Sequence, residues 1–471
     1  MINNLIIIDS TEIKHINGKT NNIIKGYSGS GYLIALINDD DYITAEINLS
    51  HNGFYRLGIK YALPSKAELS VPEEISESAF QKQSVHRIFI NDECYGSVVF
   101  DIASEFAIKE IGSLKLKSGV NEIKISKQIG YLNIDSIIAT EGTNCILDNP
   151  NFVLSNKDAS KECIELMKIF SKIYGKGILS GQHCNKASGT DFEYIKRMTG
   201  KTPAIVGFDL LSYSLATETP DSNFECIDEL ANNKGTIETA LFWGKNTDAI
   251  ITLCWHWFSP MNGRGKSFYT ENTNFDLEKA LVEGTEENIN MIRDLDTIAE
   301  QLKIFKNNNI PILWRPLHEA SGGWFWWGDK GPQAYIKLYR LMYDRYVSYH
   351  ELNNLIWVWN SPNVEWYPGD DVVDINSNDY YAPLENHGPL TIEFLNTEAI
   401  PNSVKPVALS ENGPIPDPKI LKETETHWLW FMTWNNFVKE LEWNTKEELM
   451  KFYNDEYVIN LEDLAKLKSS L

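Results

Sequence analysis

Trp314-Arg315-Pro316-Leu317-His318-Glu319-Ala320-Ser321-Gly322-Gly323-Trp324-Phe325-Trp326-Trp327-Gly328 places a His-Glu pair between an apolar run and a glycine-tryptophan cluster. The lead-in Ile310-Pro311-Ile312-Leu313-Trp314 reads as a short buried strand, which leaves Arg315, His318 and Glu319 at its C-terminal end. In a parallel α/β barrel that end carries the chemistry. Aromatic clusters usually fill cores, and a lone Glu after a strand is usually a surface residue. A Glu between His and a Gly-Trp loop differs, because aromatic walls withdraw it from water and raise its pKa, which suits a general acid near neutral pH. Glu319 is therefore the first candidate catalytic residue.

Mixed aromatic and polar residues of this kind suit a sugar site, with Trp324 at the head of the run as a candidate contact. Cleaving a glycosidic bond takes two carboxyl groups, one to protonate the leaving oxygen and one to attack the anomeric carbon or activate water. A second candidate stands in Lys405-Pro406-Val407-Ala408-Leu409-Ser410-Glu411-Asn412-Gly413-Pro414, again a short apolar strand ending in Glu. One such junction is commonplace. Two, delivering Glu to the same barrel face, form a stronger signal.

These two segments, with the intervening Trp366-Tyr367-Pro368-Gly369-Asp370-Asp371 and the strand that follows it, resemble glycoside hydrolase family 26, best known for retaining endo-β-1,4-mannanases. The resemblance runs over about two thirds of the chain. It implies a (β/α)8 TIM barrel, with Glu319 as acid/base, Glu411 as nucleophile and His318 helping to hold the reacting sugar. It further implies that His256, in Cys254-Trp255-His256-Trp257, contacts the sugar next to the cleaved bond. Tyr381, favoured by register over Tyr380, is implied to hydrogen-bond the nucleophile, and Trp434 to form the floor beneath the reacting sugar. The chain departs from some relatives at Asn435, where they carry an Arg that contacts the next sugar. Asn376, Ser377 and Asn378 also stand where small or apolar residues are usual, so unusual packing is expected near Tyr381. The expected activity is retaining hydrolysis of β-mannan, with a β-1,3-1,4-glucanase, a β-1,3-xylanase or a non-catalytic polysaccharide-binding protein as alternatives. No cofactor is expected in catalysis.

Composition agrees. The 471 residues suit two domains, and 43% hydrophobic with 12% aromatic content, including 14 Trp, describes a globular chain rich in rings that stack on pyranose faces. A net charge of −22 argues against nucleic acid or an anionic membrane as partner, while a neutral polysaccharide is indifferent to it. The expected form is a monomer. Six Cys, at 94, 145, 163, 184, 226 and 254, lack CxxC spacing and read as mostly free thiols. The first residues, Met1-Ile2-Asn3-Asn4-Leu5, do not read as a secretory signal. The expected location is extracellular, as a mature form, with the cytoplasm as alternative.

Before about residue 145 lie short alternating runs, among them 31–37, 42–47, 54–61, 87–90, 97–100 and 122–125, the pattern of a β-sandwich. After it, helical stretches at 160–174, 286–307 and 333–346 alternate with apolar strands. The expected division is a jelly-roll-like carbohydrate-binding sandwich at 1–142, a linker at 143–157 and the barrel at 158–471. Segments such as Gly26-Tyr27-Ser28-Gly29-Ser30-Gly31-Tyr32 and Gly130-Tyr131-Leu132-Asn133-Ile134-Asp135 resemble family 35 carbohydrate-binding modules. That resemblance implies sugar contact at Tyr131 and Asn133. It also implies a structural calcium on Asp9 and Asp135, with Thr11 at the second acidic place.

Overall fold

The structure is a computed structural model that describes residues 5–65, 83–142, 150–215, 217–261 and 265–469. Residues 143–149 of the expected linker, Cys145 among them, and the first four residues of the chain lie outside that range. Two compact units emerge, one built from Met1–Leu147 with Asn386–Leu395 and Lys419–Thr426, the other from Asp148–Glu385, Asn396–Pro418 and His427–Leu471.

The first unit contains two antiparallel sheets. In one, the strands run in the order Lys19–Asn21, Tyr32–Ala35, Leu132–Glu141, Gly53–Leu63 and Ala103–Leu116, with Leu5–Asp9 also on Leu132–Glu141. In the other the order is Lys14–His15, Tyr42–Leu49, Gly119–Ile129, Gln83–Ile90 and Glu93–Asp101. Period-two alternation explains the sandwich: along Tyr42–Leu49, Ile43, Ala45, Ile47 and Leu49 are buried while Glu46 and Asn48 are exposed. These side chains meet Ile59, Ile88, Ile125 and Ile137 in one core. Ile392 joins that core from far along the chain, and Gly96 admits it: at a φ of 127° a Cβ here would stand 2.9 Å from the Ile392 Cβ. The two later stretches fall within the barrel in sequence, so local pattern gives no hint of where they pack.

The second unit carries eight parallel strands: Ile178–His183, Ile205–Asp209, Ile250–Cys254, Ile312–Arg315, Leu355–Asn360, Ile375–Asp379, Val407–Glu411 and Trp430–Thr433. The first seven pair in succession, and the eighth pairs with the first. Closure between seventh and eighth comes from Leu429 N–H donating to Val407 O at 2.8 Å, Asn412 N–H donating to Met432 O at 3.0 Å, and a bridge between Asn412 and Thr433. The strands are almost wholly buried, as expected where helices cover the outer faces of a parallel sheet. Ser160 and Thr285 start the helices Lys161–Ile173 and Glu286–Lys306 by accepting backbone N–H groups three residues on. The described part of the expected linker packs on the barrel instead of hanging free. Phe152 enters its core beside Phe170, and Ser155 N–H donates to Asp374 at 2.5 Å.

Cys163, Cys184, Cys226 and Cys254 are buried thiols outside any disulfide. Among the described residues no helix is long and apolar enough to cross a membrane.

Candidate active site

The fourth barrel strand, Ile312–Arg315, buries every residue and stops at Pro316. The chain then turns sharply: Leu317 and Glu319 take left-handed backbone angles, φ of 53° and 55°, which L side chains adopt only at a cost. Neighbours hold the turn. Glu319 N–H donates to both the backbone and the side-chain oxygen of Asn360, the last residue of the fifth strand, at 2.9 and 3.0 Å. Trp327 Nε1–H donates to His318 O, and Trp326 Nε1–H to Trp257 O. A Cβ on Gly328 would lie 2.1 Å from Ala320 O, so only glycine lets the aromatic segment fold back against the turn.

Of the aromatic run, Phe325, Trp326 and Trp327 are core, because the indole N–H groups of both tryptophans find buried carbonyls. Trp324 alone stays half exposed, and its Nε1–H donates to Glu319 Oε2 at 2.9 Å.

Glu411 ends the seventh strand and is buried. Its Oε2 accepts the Tyr381 hydroxyl at 2.8 Å, and its Oε1 is paired with Arg315 Nη2. The other Arg315 nitrogen, Nη1, reaches Asp379 Oδ2 at 2.8 Å, and Asn360 and Ser410 donate to Asp379 Oδ1. Glu319, Asp379 and Glu411 each bring one oxygen within 4.8 Å of the others. Three carboxyl groups thus converge beside one guanidinium, which bonds to two of them. Burial raises the Glu319 pKa, and the nearby Asp379 and Glu411 raise it further. Burial also raises Glu411, with Asp379 adding to it and Arg315, His256 and the Tyr381 hydroxyl opposing. Because the guanidinium and the phenol both bond to Glu411 while Glu319 receives an indole N–H, the retained proton belongs on Glu319.

His256 lies across the site. Its backbone N–H donates to Asp209 Oδ1 at 3.0 Å and its Nδ1 is paired with Oδ2, while its Nε2 faces His318 Nε2 at 3.2 Å. Burial works against the imidazolium of His256, but Asp209 outweighs it and the pKa is raised. His318 and His183 are pulled well down by burial first, then by Arg315 and His256, so both stay neutral. Trp434 follows the eighth strand, its ring 4.7 Å from His183 and 5.8 Å from His256. A cleft of about 330 Å³ opens beside it, lined by His256, Lys266, Tyr269, Asn185 and Asn435. A cavity of about 380 Å³ at the other end of the strands, among Glu165, Ile250 and Pro311, holds none of these groups.

Glu319, Glu411, His256, His318, Trp324, Tyr381 and Trp434 therefore fall at one end of the barrel. Sequence reasoning missed Asp379, Asp209, Asn360 and His183, and gave Arg315 no role. Each of the four closes a barrel strand, as Glu411 does, and that shared position was the available signal. The polar Asn376, Ser377 and Asn378 of the sixth strand are accommodated by hydrogen bonds to Thr397 and Trp359.

The N-terminal expectations need correction. Tyr131 is 1% and Asn133 2% exposed. Tyr131 precedes and Asn133 lies on a strand flanked on both sides, and Asn133 Nδ2 donates to Ala62 O at 3.0 Å. Neither offers a surface to a polysaccharide. Nor do Asp9 and Asp135 fit a calcium ion: the buried Asp135 already carries the Lys60 ammonium, 3.0 Å from its Oδ2. Among the described residues, His, Cys, Asp and Glu side chains converge closely in threes only in the barrel, at Asp209, Cys254 and His256 and at Glu319, Asp379 and Glu411.

Residues 155–463 match the profile of glycosyl hydrolase family 26. The chain is 35% identical to a mannan endo-1,4-β-mannosidase of Thermothelomyces thermophilus, over 93% of this chain and 86% of that protein. It is 32% identical to mannan endo-1,4-β-mannosidase A of a Piromyces species, over 95% and 72%. Among solved structures, a Podospora anserina GH26-CBM35 β-(1,4)-mannanase superposes with a TM-score of 0.65 at 32% identity, covering 98% of this chain and 99% of that one. A ruminal GH26 endo-β-1,4-mannanase gives 0.68 at 28% identity, covering 98% of each.

Proposed function

The chain belongs to glycosyl hydrolase family 26, and from that premise we propose that it is a retaining endo-β-1,4-mannanase working by double displacement. The observation behind retention is that an oxygen of Glu319 and one of Glu411 lie within 4.8 Å, consistent with the roughly 5–5.5 Å carboxyl spacing that lets one of them attack directly. Glu319, kept protonated by burial and its acidic neighbours, gives its proton to the leaving glycosidic oxygen as a Glu411 oxygen attacks the anomeric carbon. The C–O bond to the leaving sugar breaks and a glycosyl ester forms. Glu319, now a carboxylate, takes a proton from water, the resulting nucleophile displaces Glu411, and both carboxyls return to their starting states.

Arg315 and Tyr381 fix the two oxygens of Glu411, and the Trp324 indole aims Glu319. Trp434 offers a flat apolar face under the reacting sugar, with His256 and His318 at its edge. Catalysis in this family needs no cofactor, and calcium is no part of the proposal because Lys60 occupies Asp135. The proposed working form is a monomer acting outside the cell, where a polymer too large to cross a membrane is met.

Proton NMR of early products from mannan tests the mechanism: β-anomers first support retention, α-anomers overturn it. A reducing-sugar assay on mannan, lichenan and β-1,3-xylan, with product chromatography, tests substrate and endo action. Faster release from lichenan or xylan would replace mannan as the substrate.

A further inference from the structure

Asp135 is fully buried in the N-terminal unit, and a buried carboxylate needs a compensating charge and hydrogen bonds. Its Oδ1 accepts Ser28 N–H at 2.5 Å, and its Oδ2 lies 3.3 Å from the Ser136 hydroxyl. The charge comes from Lys60, which stands opposite Ser136 in the neighbouring strand Gly53–Leu63. Its Nζ lies 3.0 Å from Asp135 Oδ2, donates to Ser28 Oγ at 3.0 Å, and sits 5.8 Å over the Phe106 ring. One ammonium thus joins the central strand, the strand beside it and the loop Gly26–Gly31.

Asp9 stands against the same loop. Its Oδ2 would lie 3.0 Å from a Cβ on Gly29, and its Oδ1 accepts both the N–H and the hydroxyl of Thr11 at 3.1 Å. Calcium takes about six to eight oxygen ligands at roughly 2.3–2.6 Å. Here Thr11 turns its hydroxyl proton toward Asp9, and an ammonium stands on the Asp135 oxygen an ion would use. A divalent ion against Lys60 would be repelled.

We infer that the Lys60 ammonium is the resident cation of the N-terminal unit, tying Asp135 and the Gly26–Gly31 loop together where a metal ion would otherwise be needed. The unit then folds and keeps this loop in place without calcium. Lys60 is a positioning residue, tied to no catalytic group.

Calorimetric unfolding of the full chain in EDTA and in millimolar calcium chloride is the test. The wild-type transitions should agree within about 1 °C, whereas an ion bound far above its Kd would add several degrees. Lys60→Met keeps length without charge and should lower the transition of this unit by roughly 5–10 °C in both buffers. Lys60→Arg should recover most of that loss. Calcium raising the wild-type transition by several degrees, or Lys60→Met unfolding where the wild type does, would overturn the inference. Should Lys60→Met not fold, the wild-type pair and Lys60→Arg still decide.

Discussion

The two units treat buried acid differently. In the N-terminal unit Asp135 is matched by one ammonium and by neighbouring donors. At the barrel end, Glu319, Asp379 and Glu411 crowd together with one guanidinium, that of Arg315, bonded to the last two. The first arrangement neutralises charge for the sake of the fold. The second leaves acid in excess, so a proton is retained in a place that could not hold one in water, and such imbalance marks functional sites.

The hardest blow to this contrast comes from Glu411→Ala. Without a nucleophile, kcat should fall by roughly 10⁴-fold or more on every substrate, polymer or aryl glycoside. Glu319→Ala should cost about 10²–10⁴-fold on mannan but spare the first step for aryl mannosides whose leaving groups depart unprotonated. Pre-steady-state release of the aryl group separates the two, and equal loss in both variants would remove the acid/base role from Glu319.

Asp379→Asn sharpens the electrostatics. Asp379 helps to raise the Glu319 pKa, so its neutralisation should move the alkaline limb of the kcat/KM profile to lower pH by roughly one unit. An unmoved limb would mean that burial alone holds the proton. Stability carries the same sign: a carboxyl whose pKa rises on folding binds its proton more tightly in the folded state. Stability is then fullest below the ordinary Glu value and declines as pH climbs toward the raised one. Glu319→Gln should therefore raise Tm by a few degrees at neutral pH while abolishing acid catalysis; a lower Tm would contradict the excess-acid reading.

Smallest is the effect of Asn133→Ala, which leaves Ala62 O without its donor at about 1–2 kcal/mol in denaturant titrations. Retention on insoluble mannan should not change. Weakened retention at unchanged stability would put Asn133 back on a ligand surface.

Strand periodicity made both architectures legible, and the two glutamates, Glu411 ending its strand and Glu319 just beyond its own, showed where the barrel opens. Asp379 and Asp209 were hidden for a physical reason. Their meaning lies in partners 64 and 47 residues away, and nothing beside them in sequence resembles the glycine-tryptophan cluster that exposes Glu319. Within the aromatic run, sequence does not separate site from core. Trp326 and Trp327 sit in the same run as Trp324, yet buried carbonyls draw them inward. Tyr131 and Asn133 lie at a central strand whose two faces are both covered, a fact that alternation cannot convey.

Cys254, the last residue of the third barrel strand, is sealed from solvent two positions before His256, and burial pushes its thiol well up. It can meet a thiol-specific reagent only when the barrel mouth breathes, and then as a poor nucleophile. The protein thereby carries a chemical stopwatch at the mouth of its own barrel. With the remaining cysteines replaced by serine or alanine, the labelling half-time of Cys254 would register how often that end of the barrel opens, and how far a bound oligosaccharide latches it shut.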